Sequence, residues 1–281
     1  MLATLLAWAG SPLTLLYAAG LTLSGFGIVG ELMLAPWTYA WRDTLANLAL
    51  YAGYFALNLV WAHGIFAIYL WASHHAIAHV TIGGWHVGQH GLAWEWIALV
   101  VLEDLCFYGF HRASHRVRIL WASHVTHHSS RAFNLSVAFR QTWVPFTAVL
   151  FWLPLPLIGF DPLMIMTVQV ISLFYQELLH TQLAPRLGPL EWIFNTPRHH
   201  AIHHGSNAVY LDKNYGGVLI LWDRLFGTFA RKTEPIRFGL TRELRSHNPL
   251  VIAGHEWWAM LRDVWRRRPL GKLAAVLAPP R

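Results

Sequence analysis

The stretch "AWEWIALVVLEDLCFYGFHRASH", residues 93–115, begins apolar and ends polar. Its length suits a single helix, on which His111 and His115, four apart, share one face a turn apart. Nine residues beyond His115 stands "HVTHH" at 124–128, and far downstream "RHHAIHH" at 198–204. His124, His127 and His128 sit at i, i+3 and i+4, and His200, His203 and His204 repeat that H-x-x-H-H spacing. A chain that is 55% hydrophobic and 12% charged has little structural use for so many clustered imidazoles.

The apolar segments set the fold class. Among 281 residues there are 16 tryptophans, and the mean hydropathy is +0.37, ordinary for a membrane protein and high for a soluble globule. Residues 2–30, 44–94 and 141–160 carry no Asp, Glu, Lys or Arg, and 162–179 carries only Glu177. A crossing takes about 20 apolar residues, so these runs and 92–115 predict an all-α, polytopic membrane protein with four to six spans. "LPLPLIGFDP" at 153–162 reads as the tight turn of a helical hairpin. Trp37, Trp41, Trp94, Trp96 and Trp121 suit interfacial belts. The N-terminus lacks a basic n-region and reads as a retained span. Cys106, alone, precludes an intramolecular disulfide. "GFGIVG" at 25–30 has the letters of a dinucleotide loop, but within an uncharged span it reads as a small-residue packing face.

Charge divides the chain in two. Residues 1–180 hold 6 Lys+Arg and 7 Asp+Glu, whereas 181–281 hold 15 and 7, so the surplus belongs to the last hundred residues. The positive-inside tendency then predicts a transmembrane domain, 1–180, with a His-rich cytoplasmic loop at 111–140. A cytoplasmic helical cap, 181–281, follows, carrying the third histidine motif and a basic tail. The expected location is a bacterial inner membrane, with the site facing the cytoplasm. Arg266, Arg267, Arg268 and Lys272 suit anionic headgroups. Nucleic acid, the other partner a pI of 9.9 suggests, lacks any accompanying motif.

The histidines read as metal ligands. Eight imidazoles exceed what one zinc or iron holds, a structural zinc taking about four, so the count predicts two metals in a polyhistidine cage. Asp104, Tyr108, His111 and His115 form one helical stripe. A carboxylate inside an apolar helix is costly without a partner, and accepting the second N–H of a ligand imidazole would supply one. The same role suits Glu177, three residues before His180, which makes His180 a candidate ninth ligand. A salt bridge to an arginine is the competing role for both carboxylates. His63, His74, His75, His79, His86 and His90 lack repeated spacing and read as interfacial or path-lining, and His247 and His255 as surface residues.

Imidazole suits zinc, copper, iron and nickel alike. A metal pair at the cytoplasmic mouth of an apolar bundle favours two iron ions and O₂ acting on a C–H bond of a membrane lipid. The alternative is a zinc-dependent membrane hydrolase, which would call for an aqueous substrate and a carboxylate base beside the metal. A metal transporter would call for ionisable residues through spans that have none.

The run "HRASH…HVTHHSS…TPRHHAIHHGSN", followed by "DKNYGGVLILWDRLFGTF" at 212–229, resembles the fatty acid hydroxylase/sterol desaturase superfamily of integral membrane di-iron enzymes. "LWASHVTHHSSRAFNLSVAFRQTW" and "HTQLAPRLGPLEWIFNTPRHHAIHHG" look most like its alkylglycerol monooxygenase branch and bacterial relatives. The resemblance spans 104–229 and implies that His111, His115, His124, His127, His128, His200, His203 and His204 are metal ligands. His180 matches a further family histidine, and His199 is ambiguous between ligand and support. It also implies O₂-dependent hydroxylation or desaturation of a fatty acyl chain, sterol or alkylglycerol ether lipid. Gln176 stands where many hydroxylases have another histidine, and Gly109 where relatives often have tryptophan. Electrons would come from a donor protein or small reductant; the branch uses a tetrahydropterin, though no residue here marks a pterin site. Oligomeric state is left open.

Overall fold

The computed structural model describes residues 12–77, 81–82, 85–86 and 93–280. His79 and His90, and residues 2–11 of the first apolar run, lie outside them. Helix α1 spans Pro12–Leu34 and α2 spans Trp41–His74. A minimal antiparallel pair follows, β1 at Thr81–Ile82 and β2 at Trp85–His86, joined in the register Thr81↔His86 and Ile82↔Trp85. Helix α3 spans Ala93–Arg116 and α4 spans Arg118–His128. Short helices α5, Val149–Trp152, and α6, Pro154–Leu157, lead into α7, Pro162–Glu177. Then come α8, Pro197–His203, α9, Leu221–Leu225, α10, Pro249–Arg266, and α11, Pro269–Leu277. Apart from the two-residue strands, the regular elements of the described residues are helical, as the sequence predicts, although 205–220 and 226–248 of the expected helical cap are loop.

Local chemistry sets the boundaries. Asp161 caps α7, its side chain accepting from Leu163 N at 2.8 Å and Met164 N at 3.1 Å, with Pro162 at the first helical position, where no N–H is missed. Asn248 followed by Pro249 starts α10 in the same way. The turn predicted at 153–162 falls in the second half of that stretch. Pro154–Leu157 is helical, and the reversal comes at 158–161. The predicted loop at 111–140 is also largely helix, through the end of α3 and all of α4. Only Val117, in extended conformation, separates the two.

Helix α1 is uncharged until Glu31, and only 11% of its most apolar window is buried. Leu23, Phe26 and Met33 stand on its open surface. Helix α2 bends by 47° between Trp41–Asn58 and Val60–His74. By length and composition, among the described residues, α1 is long and apolar enough to cross a membrane, and α2 also if its bent halves form one span. Helices α2, α3, α5, α6 and α7 share a buried cluster of Tyr69, Leu99, Trp152, Leu155, Phe160, Ile165 and Val168. The close approach of α1 to α7 is at Gly20, where any Cβ would collide with the Phe174 ring. Of the "GFGIVG" run, Gly27 lies against Leu135, whereas Gly25 and Gly30 face open space, so the tightest packing lies earlier than the sequence suggests.

One buried cation ties the helices together. Arg140 is 1% exposed and donates to Asp43 Oδ1 at 3.1 Å and Asn47 Oδ1 at 2.7 Å, both on α2. Its Nε also donates to Thr126 O and Ser129 Oγ at the end of α4. Removing one partner of a buried ion pair strands the other charge, at a cost of about 3–5 kcal/mol. Arg140→Met is therefore expected to lower the thermal midpoint of the purified protein sharply. Adding Asp43→Asn should restore part of the loss, and a midpoint unchanged by Arg140→Met would contradict this role.

Candidate metal centre

Three helix ends and one loop converge on the centre. His111 and His115 end α3; His124, His127 and His128 lie on α4; His200 and His203 lie on α8 with His204 at its C-cap; His180 follows α7. The structure sorts these nine imidazoles into two groups, within each of which the nearest ring nitrogens lie inside 4.8 Å of one another. One holds His111, His115, His124, His128 and His203; the other holds His127, His180, His200 and His204.

The sequence reading had each motif aim its imidazoles at one point. The structure keeps His111 and His115 together but divides both H-x-x-H-H motifs. On α4 the i, i+4 pair, His124 and His128, enters the five-membered group, and His127 enters the other. On α8 the i, i+4 pair, His200 and His204, enters the four-membered group, and His203 crosses to the first. A helix turns about 100° per residue, so positions i and i+4 stay on one face while i+3 falls to its side.

The nitrogens sit at ligand spacing. In the first group the Nε2 atoms of His124 and His128 are 3.0 Å apart, and those of His128 and His203 3.2 Å. In the second, His180 Nε2 is 3.0 Å from both His127 Nε2 and His200 Nε2, and His200 is 3.1 Å from His204. Two nitrogens bound at right angles to one ion at about 2.1 Å would lie about 3.0 Å apart. Three rings have their other nitrogen committed. Nδ1–H of His111 donates to Tyr215 O at 2.8 Å, of His203 to Lys213 O at 2.9 Å, and of His180 to Gln176 O at 2.9 Å. A carbonyl only accepts, so these rings turn bare Nε2 lone pairs towards the centre. The Nε2 atoms of His111 and His115 are buried with no hydrogen-bond partner. Lone pairs crowded this way repel unless a cation stands among them, so the residues fit a metal in each group.

Electrostatics favours the ligand form. Burial, then the neighbouring imidazoles, holds His124, His127, His128, His200 and His204 well below the ordinary histidine range. Burial brings His180 and His203 down to about 4. The rings are neutral near pH 7, as metal binding requires.

The carboxylates act differently from the sequence expectation. Asp104 touches no histidine and no arginine. It accepts from Val218 N at 2.6 Å, Leu219 N at 3.0 Å and Trp222 Nε1 at 2.9 Å. It thereby clamps the "DKNYGGVL" loop, whose Lys213 and Tyr215 carbonyls hold His203 and His111. A Cβ on Gly217 would come within 2.8 Å of Asp104 Oδ1, which is why glycine stands there. From the other side Asp223 accepts from Tyr215 N at 2.8 Å and Gly216 N at 2.7 Å. Tyr108 bonds Thr228 Oγ1 at 2.9 Å and does not touch the ring of a ligand candidate through its hydroxyl. Glu177 accepts from Ser24 Oγ at 2.6 Å, linking α7 to α1, and it does not orient His180.

His199 enters neither group; its ring packs edge-on to Phe229, 5.4 Å between centroids. Trp121, expected in an interfacial belt, packs instead on His115 and His128, with ring centroids 5.1 and 5.7 Å away. Sequence reasoning missed the three carbonyl supports, which have no side-chain signature. It also passed over Asp223, although the spacing from Asp223 to Thr228 sits inside a quoted motif.

Residues 96–228, which contain all nine histidines and both clamping aspartates, match the family model described as Fatty acid hydroxylase. Through these residues, just under half of the chain, it is similar to the fatty acid hydroxylase family. Alkylglycerol monooxygenase of Homo sapiens is 42% identical over 174 residues, 61% of this chain and 39% of that protein. The Caenorhabditis elegans alkylglycerol monooxygenase is 34% identical over 200 residues, 66% of this chain and 39% of its own length. Ornithine lipid hydroxylase OlsE of Rhizobium tropici is 32% identical over 149 residues, 52% and 45% of the two chains. The matched segment thus spans less than half the length of these relatives. No solved structure matches the chain.

The clamp makes a prediction. In Asp104→Asn an amide N–H₂ faces backbone N–H donors, the loop loosens, and His111 and His203 lose their carbonyl supports. Losing such supports commonly costs about 10–100-fold in metal affinity. Chelator competition should find the five-histidine group weakened in that range and the four-histidine group less affected. Equal affinity in wild type and variant would remove Asp104 from this role.

Proposed function

We propose that this chain is an integral membrane di-iron oxidoreductase that uses O₂ to hydroxylate or desaturate a lipid. The observation that carries the reading is the pair of all-imidazole groups, each with ring nitrogens at ligand spacing. His111, His115, His124, His128 and His203 would hold one ion, and His127, His180, His200 and His204 the other. Iron bound there would supply the redox chemistry by which O₂ oxidises an unactivated C–H bond. The chain's own part is to present neutral nitrogens, fix ring orientation through the 213, 215 and 176 carbonyls, and exclude water. Neither group contains a carboxylate, so the hydrolytic alternative lacks its base. The names of the relatives, an alkylglycerol monooxygenase and an ornithine lipid hydroxylase, support a lipid substrate. A fatty acyl chain, a sterol and an alkylglycerol all fit that class, with electrons from a protein or small reductant.

The membrane arrangement belongs to the same reading. Helix α3 has 24 residues, about 36 Å at 1.5 Å per residue, enough to cross. Its Glu95, Glu103 and Asp104 are buried inside the protein, the placement that intramembrane carboxylates need. With α1, α2 and the α5–α7 hairpin it gives four or more spans, and residues 181–281 form the cytoplasmic cap. A C-terminal reporter should be active only in the cytoplasm of a bacterial host; periplasmic activity would reverse the orientation.

For the reaction, iron-loaded protein in nanodiscs would receive bacterial lipid extract, a reducing system and ¹⁸O₂. The expected product is a labelled lipid alcohol, or a new double bond with O₂ consumed. His128→Ala and His204→Ala, one from each group, should each abolish it and lower bound metal. Product formed equally well without oxygen would reject the proposal.

A further inference from the structure

Helix α8 has a second working face. The positions that enter neither histidine group, Arg198 and His199 among them, line a cavity of about 690 Å³. That volume lies in the range of about 300–1,000 Å³ usual for small-molecule sites. Arg224, Arg231 and Lys232 complete a cationic wall, against the one carboxylate of Glu191. We infer that this cavity is a binding site for an anionic ligand of the phosphate class, supplied by a lipid headgroup or by a soluble phosphate ester.

The cations of the lining outnumber its carboxylates. Glu191 Oε1 accepts from Leu187 N at 3.0 Å, which ties it to its own turn. Among the described residues no ion pair includes Arg198, Arg224, Arg231 or Lys232. Solvated surface cations would spread apart, whereas Arg224 is held in place. Its Nε donates to Trp192 O and its Nη2 to Glu191 O, each at 3.1 Å. The guanidinium carbon lies 4.4 Å from the Trp192 ring centre and 3.9 Å from that of Phe229. A guanidinium has five N–H donors, so this fixed fork retains unused ones. Burial, then the charge of Arg231, lowers the Arg224 pKa, a sign that like charges are gathered.

A second, independent observation points to a ligand. His199 is 7% exposed, lines the cavity, and its buried Nδ1 has no hydrogen-bond partner. Buried polar atoms in folded proteins are almost always satisfied. A phosphate in the cavity beside this ring would neutralise the arginines, which match phosphate bidentately. An acidic protein surface is the other conceivable occupant, and the concavity favours the small anion. Exposed Leu183, Leu190 and Trp192 on the adjoining segment suit a headgroup arriving with its lipid.

The test uses the full chain in phosphatidylcholine nanodiscs, titrated calorimetrically with glycerol 3-phosphate at constant ionic strength. Saturable binding is expected. It should weaken about tenfold or more in Arg231→Ala/Lys232→Ala, since charge-assisted hydrogen bonds are lost. Both residues are exposed, so the ligand-free thermal midpoint of that variant should match wild type. Arg224→Lys, which keeps the charge and loses the fork, should weaken binding as well. A second titration in discs containing phosphatidic acid separates the sources. Suppressed binding there identifies a lipid headgroup as occupant; undiminished binding identifies a soluble phosphate. No saturable binding in phosphatidylcholine discs overturns the inference. So does unchanged affinity in the double variant, which would place the anion elsewhere, such as at the metals.

Discussion

Nine neutral imidazoles are pressed together, seven of them with Nε2 atoms about 3 Å apart in successive pairs. This crowding is unfavourable in an empty site, so the surrounding protein has to hold the rings against it. The rest of the structure makes sense as that restraint. Helices α3, α4 and α8 bring short stretches of rigid backbone to one place, and the loop at 213–219 closes over them with carbonyl acceptors. Burial keeps the rings uncharged, which removes the larger repulsion that protonation would add.

The restraint works through polar links in an otherwise apolar body. Asp104 fastens the loop to α3, Asp223 fastens it from the other side, and Arg140 fastens α4 to α2. Each link is buried, where a hydrogen bond to a charged group contributes about 1.5–3 kcal/mol and an unmade one costs comparably. Few charges are spent inside the chain, and the ones present hold the helices that carry histidine. Glu177 serves the same end by joining α7 to α1, so the segment before His180 cannot drift.

The helical character and the identity of the clustered histidines were legible because both depend on local spacing. An i, i+4 pair is a statement about one turn of one helix. The division of His127 from His124 and His128 was not legible, because it depends on how α4 is rotated against α8. Asp104 showed itself as an expensive carboxylate in an apolar helix, yet its partners were misread. Backbone N–H groups of a distant loop leave no mark in the side-chain pattern. The span count is obscured for a related reason: α3 carries the carboxylates Glu95, Glu103 and Asp104, yet all three are buried in the protein interior.

The interleaving of the two H-x-x-H-H motifs gears the groups together. Rotating α4 to bring His127 further into its group carries His124 and His128 out of theirs. Rotating α8 trades His203 against His200 and His204 in the same way. Each helix thus has one angular setting at which both groups are complete. Turning α4 or α8 therefore cannot retune one centre singly, because such a rotation is transmitted, turn for turn, to the other.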